Sequence, residues 1–149
     1  MNLLKNPFSL EGKHIVVSGA SSGIGRQCAI SCAAMGAKVS LIARNEERLK
    51  ETFSSLFGDG HQIYSADLTN EEEIKHTVTQ IVSNGGRIDG LLNVAGISAT
   101  LLLKSASESR ITDLFRSNVL SAFMLTREVC RMGNFSKEGG SIVFYSSVM

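Results

Sequence analysis

Along this chain, short apolar runs alternate with longer segments of helical period. The run His14–Ser18, "HIVVS", precedes a stretch, Ile24–Met35, in which Ile24, Cys28, Cys32 and Met35 recur on one stripe. Gly36 closes that stretch as a helix C-cap glycine does. Lys38–Ala43, "KVSLIA", reads as a second strand. Glu46–Phe57 then reads as a helix with Leu49, Phe53, Leu56 and Phe57 on one side. Gln62–Ser65 is a short third strand. Asn70–Ser83 is a helix whose opening, "NEEE", offers Asn70 as N-cap and Glu73 at the third helical position. Gly90–Val94, "GLLNV", is a fourth strand, Ser107–Met132 a long helical pattern, and Ser141–Ser146, "SIVFYS", a fifth strand.

Strands that alternate with helices pair in parallel, because a parallel crossover needs a connection of helix length. "HIVVS" and "GLLNV" hold near-continuous apolar runs, as strands covered on both faces do. The pattern therefore predicts an α/β fold: an open, doubly wound parallel sheet with right-handed crossovers. It shows no repeat, low-complexity tract or proline-rich linker, and Pro7 is the only proline.

Composition narrows the function classes. At 149 residues the chain is one domain, residues 1–149, with enough length for a real core. Its 15 basic and 14 acidic residues leave a net charge of +1, which gives no footprint for nucleic acid or an anionic membrane. No apolar run reaches the ~18 residues of a membrane span, and the opening "MNLLKNPFSLEGK" is not a signal peptide. Three cysteines, Cys28, Cys32 and Cys130, suit a reducing, cytoplasmic compartment. Cys28 and Cys32 stand four apart with no histidine at ligand spacing, so they read as packed thiols rather than a metal site. His14, His61 and His76 are scattered and suggest no role.

The candidate chemistry begins at "SGASSGIG", Ser18–Gly25, between the first strand and the first helix. Gly19 permits a sharp exit from the strand. Gly23 and Gly25 remove side chains where a pyrophosphate must approach backbone amides and where the helix must pack close to the sheet. Ser21 and Ser22 offer hydroxyls to a phosphate or ribose. Taken alone, the loop reads equally well as a plain strand–helix turn. It has company. "ADLT" puts Asp67 and Leu68 just past the third strand, on the edge where such sheets bind ligands. "NVAG", Asn93–Gly96, turns off the fourth strand at the same edge. "RSNV" carries Asn118, and "GGSIVFYSS" ends in Ser146 and Ser147.

These five motifs, in this order, resemble the short-chain dehydrogenase/reductase family, whose cofactor motif T-G-x-x-x-G-x-G stands here with Ser18 for threonine. Among its members the pattern is most like 3-oxoacyl carrier-protein reductases. The resemblance implies a Rossmann fold and a nicotinamide cofactor held by Gly19, Ser21, Ser22, Gly23, Ile24, Gly25, Asp67, Leu68, Asn93, Ala95 and Gly96. For Asn93, steadying the sheet and touching cofactor stand as equal readings. It further implies that Ser147, with Ser146 as the near alternative, orients a substrate oxygen, and that Asn118 supports a water relay. Asn118 reads equally as a polar residue that bends a long helix.

At the tip of the second strand, "IARNEER", an NAD-type site would place an acid to hold both ribose hydroxyls. Ala43 stands there instead, followed by Arg44, which can fork onto a 2′-phosphate, and by Asn45. NADP(H) is therefore expected ahead of NAD(H). The family's proton donor is a Tyr in Y-x-x-x-K. Leu68 stands four past Tyr64 and Met149 four past Tyr145, so neither tyrosine starts that motif. Tyr145 is expected to face the same side as Ser147. These 149 residues thus read as the cofactor-binding part of an NADP(H)-dependent oxidoreductase, its sheet truncated after the fifth strand and inactive by itself. That leaves Ile142 or Val143, with Phe144, partly uncovered. The implied partners are a small-molecule carbonyl or alcohol and further copies of the chain, a homo-oligomer. The alternative is a non-catalytic nucleotide-binding or interaction module.

Overall fold

The computed structural model describes residues 6–100 and 102–147; residues 1–5, 101 and 148–149 of the expected domain lie outside it. Five parallel strands form one sheet in the order β3-β2-β1-β4-β5. They are β1 (His14–Ser18), β2 (Lys38–Ala43), β3 (Gln62–Ser65), β4 (Gly90–Asn93) and β5 (Ser141–Phe144). The helices are α1 (Gly23–Ala34), α2 (Glu46–Ser54), α3 (Glu71–Gly85), α4 (Glu108–Phe115) and α5 (Ser121–Val129). A π-helical turn, Arg116–Leu120, joins α4 to α5, so the single long pattern of the sequence carries one extra residue at its middle. Strand order reverses between β1 and β4, where the register sets Ser18 beside Asn93.

Alternation along each strand resolves the apolar runs into two cores. Val16 and Ile42 join Ile74, Val78, Ile81, Leu125 and Val129 on the α3/α5 face. Ile15, Val17, Val39 and Leu41 join Ala29, Ala33 and Leu49 on the α1/α2 face.

Several expectations are corrected. The buried face of α1 is Gly25, Ala29 and Ala33. That is one residue, about 100°, away from the expected stripe; Ile24 and Met35 are exposed, and Cys28 and Cys32 are half-buried at its flank. The reason is distance. A Cβ at Gly25 would lie 2.2 Å from the Gly19 carbonyl oxygen, so α1 sits against the loop with its small face inward. Cys130, for which the sequence suggests no packing role, is exposed.

In α2, Leu49 and Thr52 are buried, whereas Phe53 and Phe57 are exposed and the helix stops at Ser54. Asn70 caps α3 through the amides of Glu72 and Glu73. Glu73 reaches back past the cap to accept from the Asp67 amide at 2.8 Å. β5 ends at Phe144, and Val143 and Phe144 are 40% and 56% exposed. The Tyr145 side chain lies across α1, its Oη 3.1 Å from Cys28 Sγ. Buried His14 donates from Nδ1 to the Gly86 carbonyl and accepts at Nε2 from Ser40 Oγ.

Candidate active site

The carboxyl ends of β1 to β4 surround a cleft of about 480 Å³ at the point where strand order reverses. One wall is the glycine loop: Gly19, Ser21, Ser22, Gly23 and Ile24 all line it. Gly19 has φ +69°, and a Cβ there would meet the Ala95 backbone at 2.8 Å, so this glycine lets β1 and β4 exit side by side. Gly23 has φ +51° and nothing within 4 Å of its would-be Cβ. Gly25 is buried and packs α1 on the loop, away from the cleft. Two readings that the sequence bundled together thus separate: Gly25 packs, and Gly23 leaves open space.

Ser18, which the sequence offered only as a substitute for threonine, fastens the loop after β4. Its buried Oγ accepts from the amides of Val94 (3.0 Å) and Ala95 (3.1 Å) and donates to the Leu92 carbonyl (3.3 Å). Ala95 and Gly96 line the cleft beyond it. Asn118, in the π-helical turn, grips the next residue with both ends of its amide. Oδ1 accepts from Ile97 N at 2.7 Å and Nδ2 donates to Ile97 O at 2.9 Å. A Cβ on Gly96 would sit 2.9 Å from that Oδ1. Asn118 therefore holds the segment that carries Gly96 and Ile97 and stands outside the cleft lining itself.

Asn93 also stands back from the cleft. It is buried, donates from Nδ2 to Thr126 Oγ1 at 3.0 Å, and so ties β4 to α5. Its Oδ1 is buried without a partner among the described residues. Ser146 and Ser147 follow β5 at the same sheet edge and are exposed, outside the cleft lining. Tyr145 N, just before them, donates to the Asn93 carbonyl at 3.2 Å.

The opposite wall carries charge. Arg44 and Asn45 line it, together with Arg48, which the sequence reading passed over. Asn45 caps α2 by accepting from Arg48 N at 2.9 Å, which brings both arginines to the mouth of the cleft. Neither guanidinium joins an ion pair among the described residues. Asp67 and Leu68 close the floor with Thr69. Asp67 Oδ1 accepts from Thr69 N (2.9 Å) and Thr69 Oγ1 (2.8 Å). Those two bonds, with the more distant charge of Arg44, hold its carboxyl below the usual range.

A nucleotide's phosphates suit this geometry. The N-cap of α1, Ser22, makes no side-chain capping bond, whereas Asn45, Asn70 and Ser107 cap α2, α3 and α4. The first amides of α1 are therefore left for a ligand beside the open space at Gly23.

Comparison with known proteins identifies the family. Residues 13–149 match the family model described as short chain dehydrogenase. The chain belongs to the short-chain dehydrogenase family. It is 36% identical over 135 residues to carbonyl reductase family member 4 of Danio rerio, covering 90% of this chain and 56% of that protein. It is also 36% identical over 142 residues to the 3-oxoacyl-acyl-carrier-protein reductase of Vibrio cholerae, covering 95% and 57%. Among solved structures, a putative short chain dehydrogenase from Escherichia coli CFT073 superposes with a TM-score of 0.84 at 34% identity, covering 94% of this chain and 63% of that one. The chain spans about half the length of the curated relatives it matches.

Proposed function

We propose that this chain is the cofactor-binding part of an NADP(H)-dependent oxidoreductase that interconverts a small-molecule carbonyl and alcohol. The observation that carries the cofactor choice is the end of β2: Arg44 and Arg48, neither in an ion pair among the described residues, line the cleft where an NAD-type site would hold a carboxylate. A 2′-phosphate there gains charge-assisted bonds, and along the chain after β2 no acid stands before Glu46, which pairs with Lys50. The relatives support the substrate class, since both quoted enzymes are named as reductases of carbonyl compounds.

In this reading the glycine loop and the first amides of α1 take the pyrophosphate. Asp67 and Leu68 border the adenine, and Ala95 and Gly96 border a ribose. The bound nicotinamide supplies or accepts the hydride. Ser147 orients the substrate oxygen from the edge beyond β5, and Asn118 keeps the wall at Gly96 and Ile97 in place for it. The cytoplasmic setting and homo-oligomer belong to the same reading. The apolar side chains exposed on α4, α5 and β5, Phe115, Phe123 and Phe144 among them, suit association with further copies.

Calorimetry on Arg44→Ala tests the cofactor choice. NADPH binding should weaken by about 1.5–3 kcal/mol, the range for a charged hydrogen bond, with NADH binding nearly unchanged. Equal losses for both cofactors would overturn it.

A further inference from the structure

Arg26 is the first residue of α1 past the glycine motif, and no reading of the motif uses it. In the structure its guanidinium is a fork between the glycine loop and α2. Nη2 spends its two protons on the Ser21 carbonyl (3.0 Å) and on Glu51 Oε2 (2.9 Å). Nε donates to Thr52 Oγ1 at 3.0 Å, and that buried hydroxyl donates onward to the Ala20 carbonyl at 2.9 Å. Two successive carbonyls of the loop, Ala20 and Ser21, are thus drawn toward α2. The next residues, Ser22, Gly23 and Ile24, line the cleft.

We propose that Arg26 is a positioning residue for the pyrophosphate of the bound dinucleotide: by holding the Ala20 and Ser21 carbonyls against α2, it fixes the loop with its amides toward the cleft. The proposal rests on the cofactor reading above but not on the choice between NADP(H) and NAD(H). Two features argue for a fork rather than a charge. The contacts need three N–H vectors in one plane, which a lysine ammonium does not supply. The Glu51 partner is solvent-exposed, so the ion pair itself adds little.

The test compares Arg26→Met and Arg26→Lys with the wild-type intact protein, titrated with NADPH, NADH and 2′-AMP. Met keeps the stem's packing, and Lys keeps the charge. Both variants should raise the Kd of NADPH and of NADH by a similar factor, on the order of tenfold or more, because the pyrophosphate is common to both. The Kd of 2′-AMP, which has no pyrophosphate, should stay within about twofold. Backbone amide exchange at residue 26, whose amide donates to the Ser22 carbonyl at 3.1 Å, should quicken while that of β1 does not. Unchanged dinucleotide affinities would overturn the proposal, as would full rescue by lysine or a parallel loss for 2′-AMP. A wild-type protein that prefers NADH and ignores 2′-AMP would sink the NADP(H) reading alone, because the NADH titration still decides the role of Arg26. A wild-type protein that binds no dinucleotide overturns both.

Discussion

Replacing Ser18 with alanine removes one oxygen from the centre of the fold, and the cost can be worked from its bonds. The hydroxyl is the acceptor for the amides of Val94 and Ala95, at 3.0 and 3.1 Å, and it is buried. An interior donor left without an acceptor costs about 1–3 kcal/mol. Two such donors give an upper range of about 2–6 kcal/mol. Val94 and Ala95 line the cleft, however, so water can reach part of that edge and the lower half of the range applies. We expect a loss of about 2–4 kcal/mol. With a urea slope of about 2 kcal/mol per molar, the midpoint should fall by roughly 1–2 M, readily seen by circular dichroism. Ser18→Thr keeps the oxygen and should recover most of the loss. Cofactor affinity should fall in Ser18→Ala too, because Ala95 and Gly96 form the wall that the hydroxyl fixes. A midpoint within about 0.3 M of wild type would refute the reasoning, since it would mean that the amides find other acceptors at no cost.

Gly23→Val should abolish dinucleotide binding at a cost in stability of about 1–2 kcal/mol for its positive φ, because its Cβ enters open cleft; retained micromolar affinity would reject this. Gly25→Ala should do the reverse and destabilise the fold first, since its Cβ meets the Gly19 carbonyl, and a wild-type melting temperature would count against it. Burial, and then the charge of Lys38, hold His14 below its ordinary value of 6.5, so its contribution to stability is full above that pH and is lost as pH falls toward the folded value. Urea midpoints measured between pH 8 and pH 5 should therefore decline more in wild type than in His14→Gln, and parallel curves would reject the assignment. Made alone, the 149-residue chain should bind cofactor without oxidising NADPH in the presence of simple ketones, and measurable turnover would contradict this.

The strands were legible because period-two burial writes itself into apolar runs: all five were found, and β1, β2 and β3 start and stop where the sequence places them. The glycine loop, Asp67, Arg44 and the turn after β4 were legible as motifs because each sits at a strand's carboxyl end. What escaped was information carried by size and by partners. The inward face of α1 is marked by its smallest residues, not its most apolar, because closeness to the Gly19 carbonyl outweighs hydrophobic area there. Arg26, Arg48 and Thr52 act through residues distant in sequence or through a cleft, and no local pattern announces such bonds. Asn118 was read as a helix-bending residue or a relay. The bend exists, but it is a π-helical turn, and its purpose becomes visible only with Ile97 across from it.

That turn sets a limit on how this protein can be shortened. One surplus residue between Arg116 and Leu120 puts the faces of α4 and α5 out of phase, and so Leu125 and Val129 join the core while Asn118 meets Ile97. Deleting any one residue there would give a more regular helix by every local measure of propensity and hydrogen bonding. It would also rotate everything beyond by about 100°, taking Leu125 and Val129 out of the core. Local ideality and the native fold are in competition over these five residues, and a lineage that keeps the cleft must keep the irregularity.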